Sequence, residues 1–112
     1  MLPAAARLRR RQDFTEAVRR GRRATRGPLT FHLDVVADAP AQVGFVIGKP
    51  VGPAVVRNRL RRRLRHVLRA RLAVLPAGAR LVVRARPGAA ELSSAELSGL
   101  VDAALGKLGT AA

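Results

Sequence analysis

Between residues 53 and 75 the chain sets six apolar residues on one helical face and arginine over most of the rest. On a wheel of 100° per residue, Val56, Leu60, Leu64, Val67, Leu68 and Leu75 fall on one side. Asn58, Arg62, Arg65 and Arg69 stack on the opposite side, at i, i+4, i+7 and i+11. Arg59 and His66 flank that stripe, and Arg57 and Arg61 sit on its other border. Residues 56–70 alone hold seven arginines and no acid. A solvated tail has no use for the apolar stripe, and a helix buried all round could not carry the arginines. The pattern therefore predicts a helix laid on a core, with a guanidinium outer face. Arginines at i and i+4 repel by about 0.2–0.5 kcal/mol each in an isolated helix. Solvation does not reward that arrangement, whereas a polyanion does, by releasing its counterions.

The flanking sequence supports the same reading. Pro50 ends a strand, Gly52 is a candidate N-cap, and Pro53 suits the first helical position. The backbone N–H groups over residues 52–55 and the helix dipole favour an anion, and Lys49 lies just before them. Asn58 is an amide on a cationic stripe. It is either simply exposed, or it meets a base edge, a 2′-hydroxyl or a hydrated metal ion.

The rest of the chain provides the core. Residues 1–11 read as a basic arm. Asp13 with Glu16 three positions on makes a candidate capping box. Phe14, Ala17 and Val18 share a face, and Gly21 is a stop, so a short first helix is predicted at about 13–20. Residues 22–27 read as a basic connector. LTFHLDVVA (29–37) and QVGFVIG (42–48) alternate as strands around the loop DAPA (38–41), which predicts an antiparallel hairpin. ARLVVRAR (79–86) is a third strand. Ser93 and Glu96 form a capping box, and Leu97, Leu100, Val101, Ala104, Leu105 and Leu108 make an apolar stripe after it. Residues 109–112 read as a fraying tail. The expected order is α-β-β-α-β-α in one domain, 1–112, an α+β two-layer sandwich. With only Phe14, Phe31 and Phe45 aromatic, its core is built of Leu, Val and Ala.

Charge narrows the function. The net charge is +15, and 20 of the 22 basic residues are Arg, which suits bidentate phosphate contacts. The natural partner of such a field is nucleic acid, then an anionic membrane. The membrane reading lacks Trp or Phe anchors on the apolar face of the arginine helix. No apolar run approaches the ~20 residues of a span. MLPAAARLRRR is basic and acid-free like a transit peptide, but Pro3 and its shortness argue against that, and the expected location is cytoplasmic. There is no cysteine, and two histidines are too few for a zinc site. No Walker pattern and no RNA-recognition-motif aromatic run occurs. The seven acids are scattered, so no catalytic group and no protein-bound metal is expected.

At this point GKPVGPAVVRNRLRRRLRHVLR resembles the RNR signature region of the bacterial ribonuclease P protein family, roughly S-K-K-x-G-x-A-V-x-R-N-R-x-K-R-x-x-R. Ala54 to Arg59, then Arg61, Arg62 and Arg65, fit it position by position. RLRRRQDFTEAVRRG resembles the family's N-terminal R-L-x-x-x-x-D-F segment. VGFVIGK and LVVRARP are similar to its second and last strands. The resemblance implies a protein accessory to a catalytic RNA, one protein per RNA. That RNA removes the 5′ leader of precursor tRNA with Mg²⁺, which is bound mainly by the RNA. It implies that Arg57, Asn58, Arg59, Arg61, Arg62 and Arg65, with Lys49 and Arg69 beside them, meet the catalytic RNA. A cleft lined by Phe14, Val18 and His32 would hold the leader. The implied fold is like the second domain of ribosomal protein S5, with a left-handed β-α-β crossover where the general rule is right-handed.

Some positions depart from the family pattern. Gly48-Lys49-Pro50 stands for S-K-K, so one expected cation is missing. Val18 and His32 stand where aromatics are usual, Arg80 where an acid is common, and His66 where Glu is frequent. Phe14 also suits core packing, and His32 also suits a plain strand surface. Three other functions fit the residues less well. A ribosomal-type module would bind structured RNA without a role in cleavage. A DNA-binding protein would lay the helix in a major groove. A stand-alone nuclease would need the acid cluster that the chain lacks.

Overall fold

The computed structural model describes residues 2–36 and 39–109. Helix α1 spans Arg11–Arg20 and is followed by strands β1 (Arg22–Arg26), β2 (Leu29–Val35) and β3 (Gln42–Ile47). Helix α2 (Ala54–Arg69), strand β4 (Ala79–Ala85) and helix α3 (Ser94–Leu108) complete the order. The α+β class holds, with one strand more than the sequence suggested. The tail beyond Gly109, and the start of the loop expected at 38–41, lie outside the described residues.

The four strands run in the order β1-β2-β4-β3. The expected hairpin between the strands at 29–35 and 42–47 does not form. β2 turns back on β1 through Gly27, whose φ is +54°, and its other edge pairs antiparallel with β4. β3 pairs parallel with β4. The reason lies in β4, where Leu81, Val82 and Val83 are all fully buried. A strand apolar on both faces belongs in the middle of a sheet. A parallel pair also needs a long crossover, and the segment carrying α2 supplies it.

Alternation then sorts the side chains. Leu29, Phe31, Leu33, Val43, Leu81 and Val83 face α2 and α3 and form the main core with Leu60, Leu64, Leu68, Leu97 and Val101. Fully burying one such side chain contributes about 1.5–3 kcal/mol. On the other face Val82 packs with Ala17 of α1 and Leu8, and Phe14 and Val18 close around them. The N-terminal segment is tied to the outer edge of β3. Leu8 N–H donates to the Val43 carbonyl at 2.9 Å, Arg7 bridges Val43, and Leu2, Ala6 and Leu8 are buried. The opposite edge, β1, carries three arginines, which suits an edge strand that must not pair further.

Several local expectations are corrected. Residues 22–26 form β1 and not a connector. Helix α1 starts at Arg11 with Arg10 as N-cap, so Asp13 is inside the first turn and does not cap it. Gly21 does end α1, but with φ −71°; glycine is needed there because a Cβ would lie 2.4 Å from the Ala17 carbonyl oxygen and 2.7 Å from that of Leu33. Pro53 is the N-cap of α2 in place of Gly52, and α2 stops at Arg69, a separate 3-10 turn following at Leu72–Val74. Ser93 and Glu96 form the expected capping box of α3.

Candidate nucleic-acid interface

Helix α2 buries Leu60, Leu64, Val67 and Leu68 and turns the predicted stripe outward. Asn58, Arg59, Arg62 and Arg69 are exposed, and Arg57, Arg61 and Arg65 are half-buried. The half-buried arginines have different surroundings. Arg57 Nε donates to the Gly52 carbonyl at 3.0 Å, which fixes the entry to the helix. Arg61 Nη1 donates to Asn58 Oδ1 at 3.1 Å, so the amide oxygen of Asn58 is engaged. Arg65 lies near Arg7 and Arg61; burial, then these two charges, lower its pKa. Lys49 is exposed in the 3-10 turn Lys49–Val51 that leads into α2.

Two arginines of this region do structural work that the helical wheel could not reveal. Arg63 donates to the carbonyls of Leu92 and Ala90, the latter at 2.8 Å, and so clips α2 to the turn before α3. Arg71 grips Asp102 of α3 with Nε at 2.6 Å and Nη2 at 3.0 Å. That contact lowers the Asp102 carboxyl pKa.

A cleft of about 700 Å³ opens on the α1 side of the sheet. Val18, Arg23, Thr30, His32, Val46 and Arg84 line it, and no carboxylate does. Gly48, Pro50 and Val51 also wall it, so the cleft adjoins the approach to α2. His32 is 5% exposed, and its two ring nitrogens have no hydrogen-bond partner among the described residues. Burial, reinforced by Arg84 and Arg23, holds the imidazole pKa below its ordinary value. Of the three residues expected together, Val18 and His32 share this cleft. Phe14 lines a separate, smaller pocket with Arg7, Arg61 and Arg65. It lies over Gly44, where a Cβ would come within 2.3 Å of the ring. Arg23 and Arg84 were not anticipated. The signal for Arg84 was present in the alternation of LVVRARP, which puts it on the same face as Val82; Arg23 had none, because RRATR did not read as a strand.

The carboxylates do not suit Mg²⁺. Asp13, Glu16 and Asp34 come together, but they close on the buried guanidinium of Arg80. Among the described residues no group of three His, Cys, Asp or Glu is placed to hold a metal ion, and no helix is long and apolar enough to cross a membrane.

Fold and surface together define a small, strongly basic α+β protein that offers a cationic helix and an adjoining basic cleft to a polyanion. The chain belongs to the ribonuclease P protein family, whose description, Ribonuclease P, matches residues 2–109. The ribonuclease P protein component of Streptomyces avermitilis is 51% identical over 96% of this chain and 95% of its own length. That of Acidothermus cellulolyticus is 54% identical over 96% and 92%. The fold is shared with the RNase P protein of Staphylococcus aureus, with a TM-score of 0.81 at 17% identity over 91% of this chain and 94% of that one. The Thermotoga maritima protein gives 0.76 at 24% identity over 87% and 92%. Membership makes the chain a protein subunit of the endoribonuclease ribonuclease P, with an RNA subunit as partner and a reaction carried by RNA.

Proposed function

We propose that this protein assists Mg²⁺-dependent removal of the 5′ leader from precursor tRNA. The outer face of α2 holds the catalytic RNA, and the cleft beside α1 holds the leader. The observation that carries this reading is the junction of two basic surfaces, since the turn leading into α2 also walls the cleft. Two polyanions must approach each other in this reaction. A chain of net charge +15 placed between them lowers their repulsion and with it the Mg²⁺ demand. The Mg²⁺ sits with the RNA, because the chain's converging carboxylates are taken by Arg80.

Within α2, Asn58, Arg59, Arg62 and Arg69 reach RNA directly. Lys49, Arg61 and Arg65 extend the same surface, and Arg57 contributes from a position held by Gly52. In the cleft, Arg23 and Arg84 neutralise leader phosphates, and Val18 and His32 give a mostly apolar wall. One protein acts per catalytic RNA, in the cytoplasm. Equilibrium binding to the catalytic RNA across a salt series tests the α2 footprint. About six phosphates covered give a log K against log salt slope of roughly −4 to −5. Arg59→Ala with Arg62→Ala flattens it by about one to two units. An unchanged slope means that α2 does not face the RNA.

A further inference from the structure

We propose that His32 takes up a proton when a leader phosphate docks between Arg23 and Arg84, so that the cleft grips the leader more tightly as pH falls. The inference rests on the reading of the cleft as the leader site, and adds a proton to what that site binds. The observation behind it is an unsatisfied side chain. His32 is 5% exposed, lines the cleft, and leaves both ring nitrogens without a hydrogen-bond partner among the described residues. Buried polar groups are nearly always paired, so an orphaned one that borders a cleft points to a partner arriving through that cleft.

Register and alternation set the charges around the ring. Arg23 of β1 stands directly opposite His32, and Arg84 of β4 stands opposite Thr30, one diagonal step away on the same face. Burial, then Arg84 and Arg23, disfavour the imidazolium and keep the ring neutral in the free protein. No carboxylate offsets the two arginines. Asp34, on the same face of β2, is paired with Arg80 at 2.6 Å, and Asp13 and Glu16 of α1 close on that same guanidinium. Otherwise α1 offers the cleft Val18, β3 offers Val46, and Arg86 adds a further cation to the lining.

A phosphate held by Arg23 and Arg84 reverses the field at the ring. Its negative charge favours the imidazolium, and one ring N–H donates to it. The proton comes from solvent. Bound leader raises the affinity of His32 for a proton, so the proton raises the affinity for leader by the same factor. The tightening sets in as pH falls through the value His32 takes with leader bound. It is complete below the lower value of the free cleft.

Two measurements test it. The chain has two histidines, so His66, exposed on α2, is the reference for His32 in NMR of the intact protein. The Cε1–H resonance of each is followed from about pH 8 to about pH 5.5, without and with a short single-stranded RNA of leader sequence. His32 is expected to titrate at higher pH with the RNA than without it, and to be displaced by more than His66. No displacement, or an equal one at both rings, overturns the proposal; the second marks a diffuse polyanion field. The other measurement uses the holoenzyme and a precursor tRNA with a non-cleavable scissile linkage, beside the same tRNA without a leader. The ratio of the two affinities isolates the leader's share. It is expected to rise roughly five- to tenfold between about pH 8 and about pH 5.5, by the reciprocity of leader and proton binding. In His32→Phe, and in the smaller His32→Gln, it is expected to stay level. A level ratio in the wild type, or an equal rise in both variants, overturns the proton coupling. Arg84→Gln separates that failure from failure of the leader reading. If it lowers the ratio at about pH 8 while the wild-type ratio does not move with pH, the coupling falls and the leader cleft stands. If it leaves the ratio unchanged, the leader does not occupy the cleft and both readings fall.

Discussion

Arg80 and Asp34 stand opposite each other in the register of β4 and β2, and Nη2 of the arginine donates to Oδ2 of the aspartate at 2.6 Å. Asp13 at 3.4 Å and Glu16 at 3.6 Å reach the same guanidinium from α1. One side chain, 7% exposed, therefore ties α1 to the sheet beside the cleft that α1 helps to wall. The hydrogen bond to Asp34, with the charges of the three acids, raises the Arg80 pKa. Arg80→Ala leaves these carboxylates without their cation and is expected to cost about 3–5 kcal/mol in urea unfolding. Arg80→Met with Asp34→Leu is expected to recover a large part, giving a coupling of at least about 1 kcal/mol. Additive losses would mean that the pair does not act as a unit.

Arg62 and Arg63 are neighbours in sequence with opposite duties. Arg62 is exposed on the outer face, and Arg63 is docked on the carbonyls of Ala90 and Leu92. Arg63→Ala is expected to lower stability by about 1.5–3 kcal/mol, and Arg62→Ala to leave it within about 0.5 kcal/mol. Catalytic-RNA binding, measured at a temperature where both variants are folded, is expected to respond more strongly to Arg62→Ala. Thermal unfolding beside filter binding separates the two.

His32 gives the fold a pH dependence. Its pKa in the folded protein lies below the ordinary 6.5, through burial first and then Arg84 and Arg23. As pH falls through about 6.5 the unfolded imidazole takes up a proton while the folded one does not. The unfolded state then binds more protons, so stability falls with falling pH. The contribution is complete above about 6.5 and is lost between there and the lower folded value. Urea unfolding at about pH 8 and pH 5.5 is expected to show a larger loss in the wild type than in His32→Phe. Equal losses would show that the imidazole is protonated as easily in the cleft as in the unfolded chain.

Helix α2 was legible because its apolar and cationic residues separate cleanly at helical spacing, and burial of Leu60, Leu64 and Leu68 follows that spacing. Strand pairing was not legible. Alternation places a strand's faces but not its partners, and a short stretch between two strands suggests a hairpin even when a later strand inserts between them. RRATR gave no strand signal because its inward contribution is Ala24 alone, opposite Phe31. Among 20 arginines, those that build the structure carry no distinguishing mark in the sequence. Arg63 and Arg80 are separated from the surface arginines only by what they touch. Phe14 was equally consistent with core and cleft; it packs on the smaller core around Val82, over Gly44, and lines a pocket with Arg7, Arg61 and Arg65.

The central claim is that the protein assists chemistry performed by RNA. It is tested most directly by 5′ cleavage of a precursor tRNA at low Mg²⁺, with the catalytic RNA alone, the protein alone, and both together. Cleavage in the mixture, with little or none in either single component, is the predicted result. Cleavage by the protein alone, or a mixture no faster than the RNA alone, would contradict it.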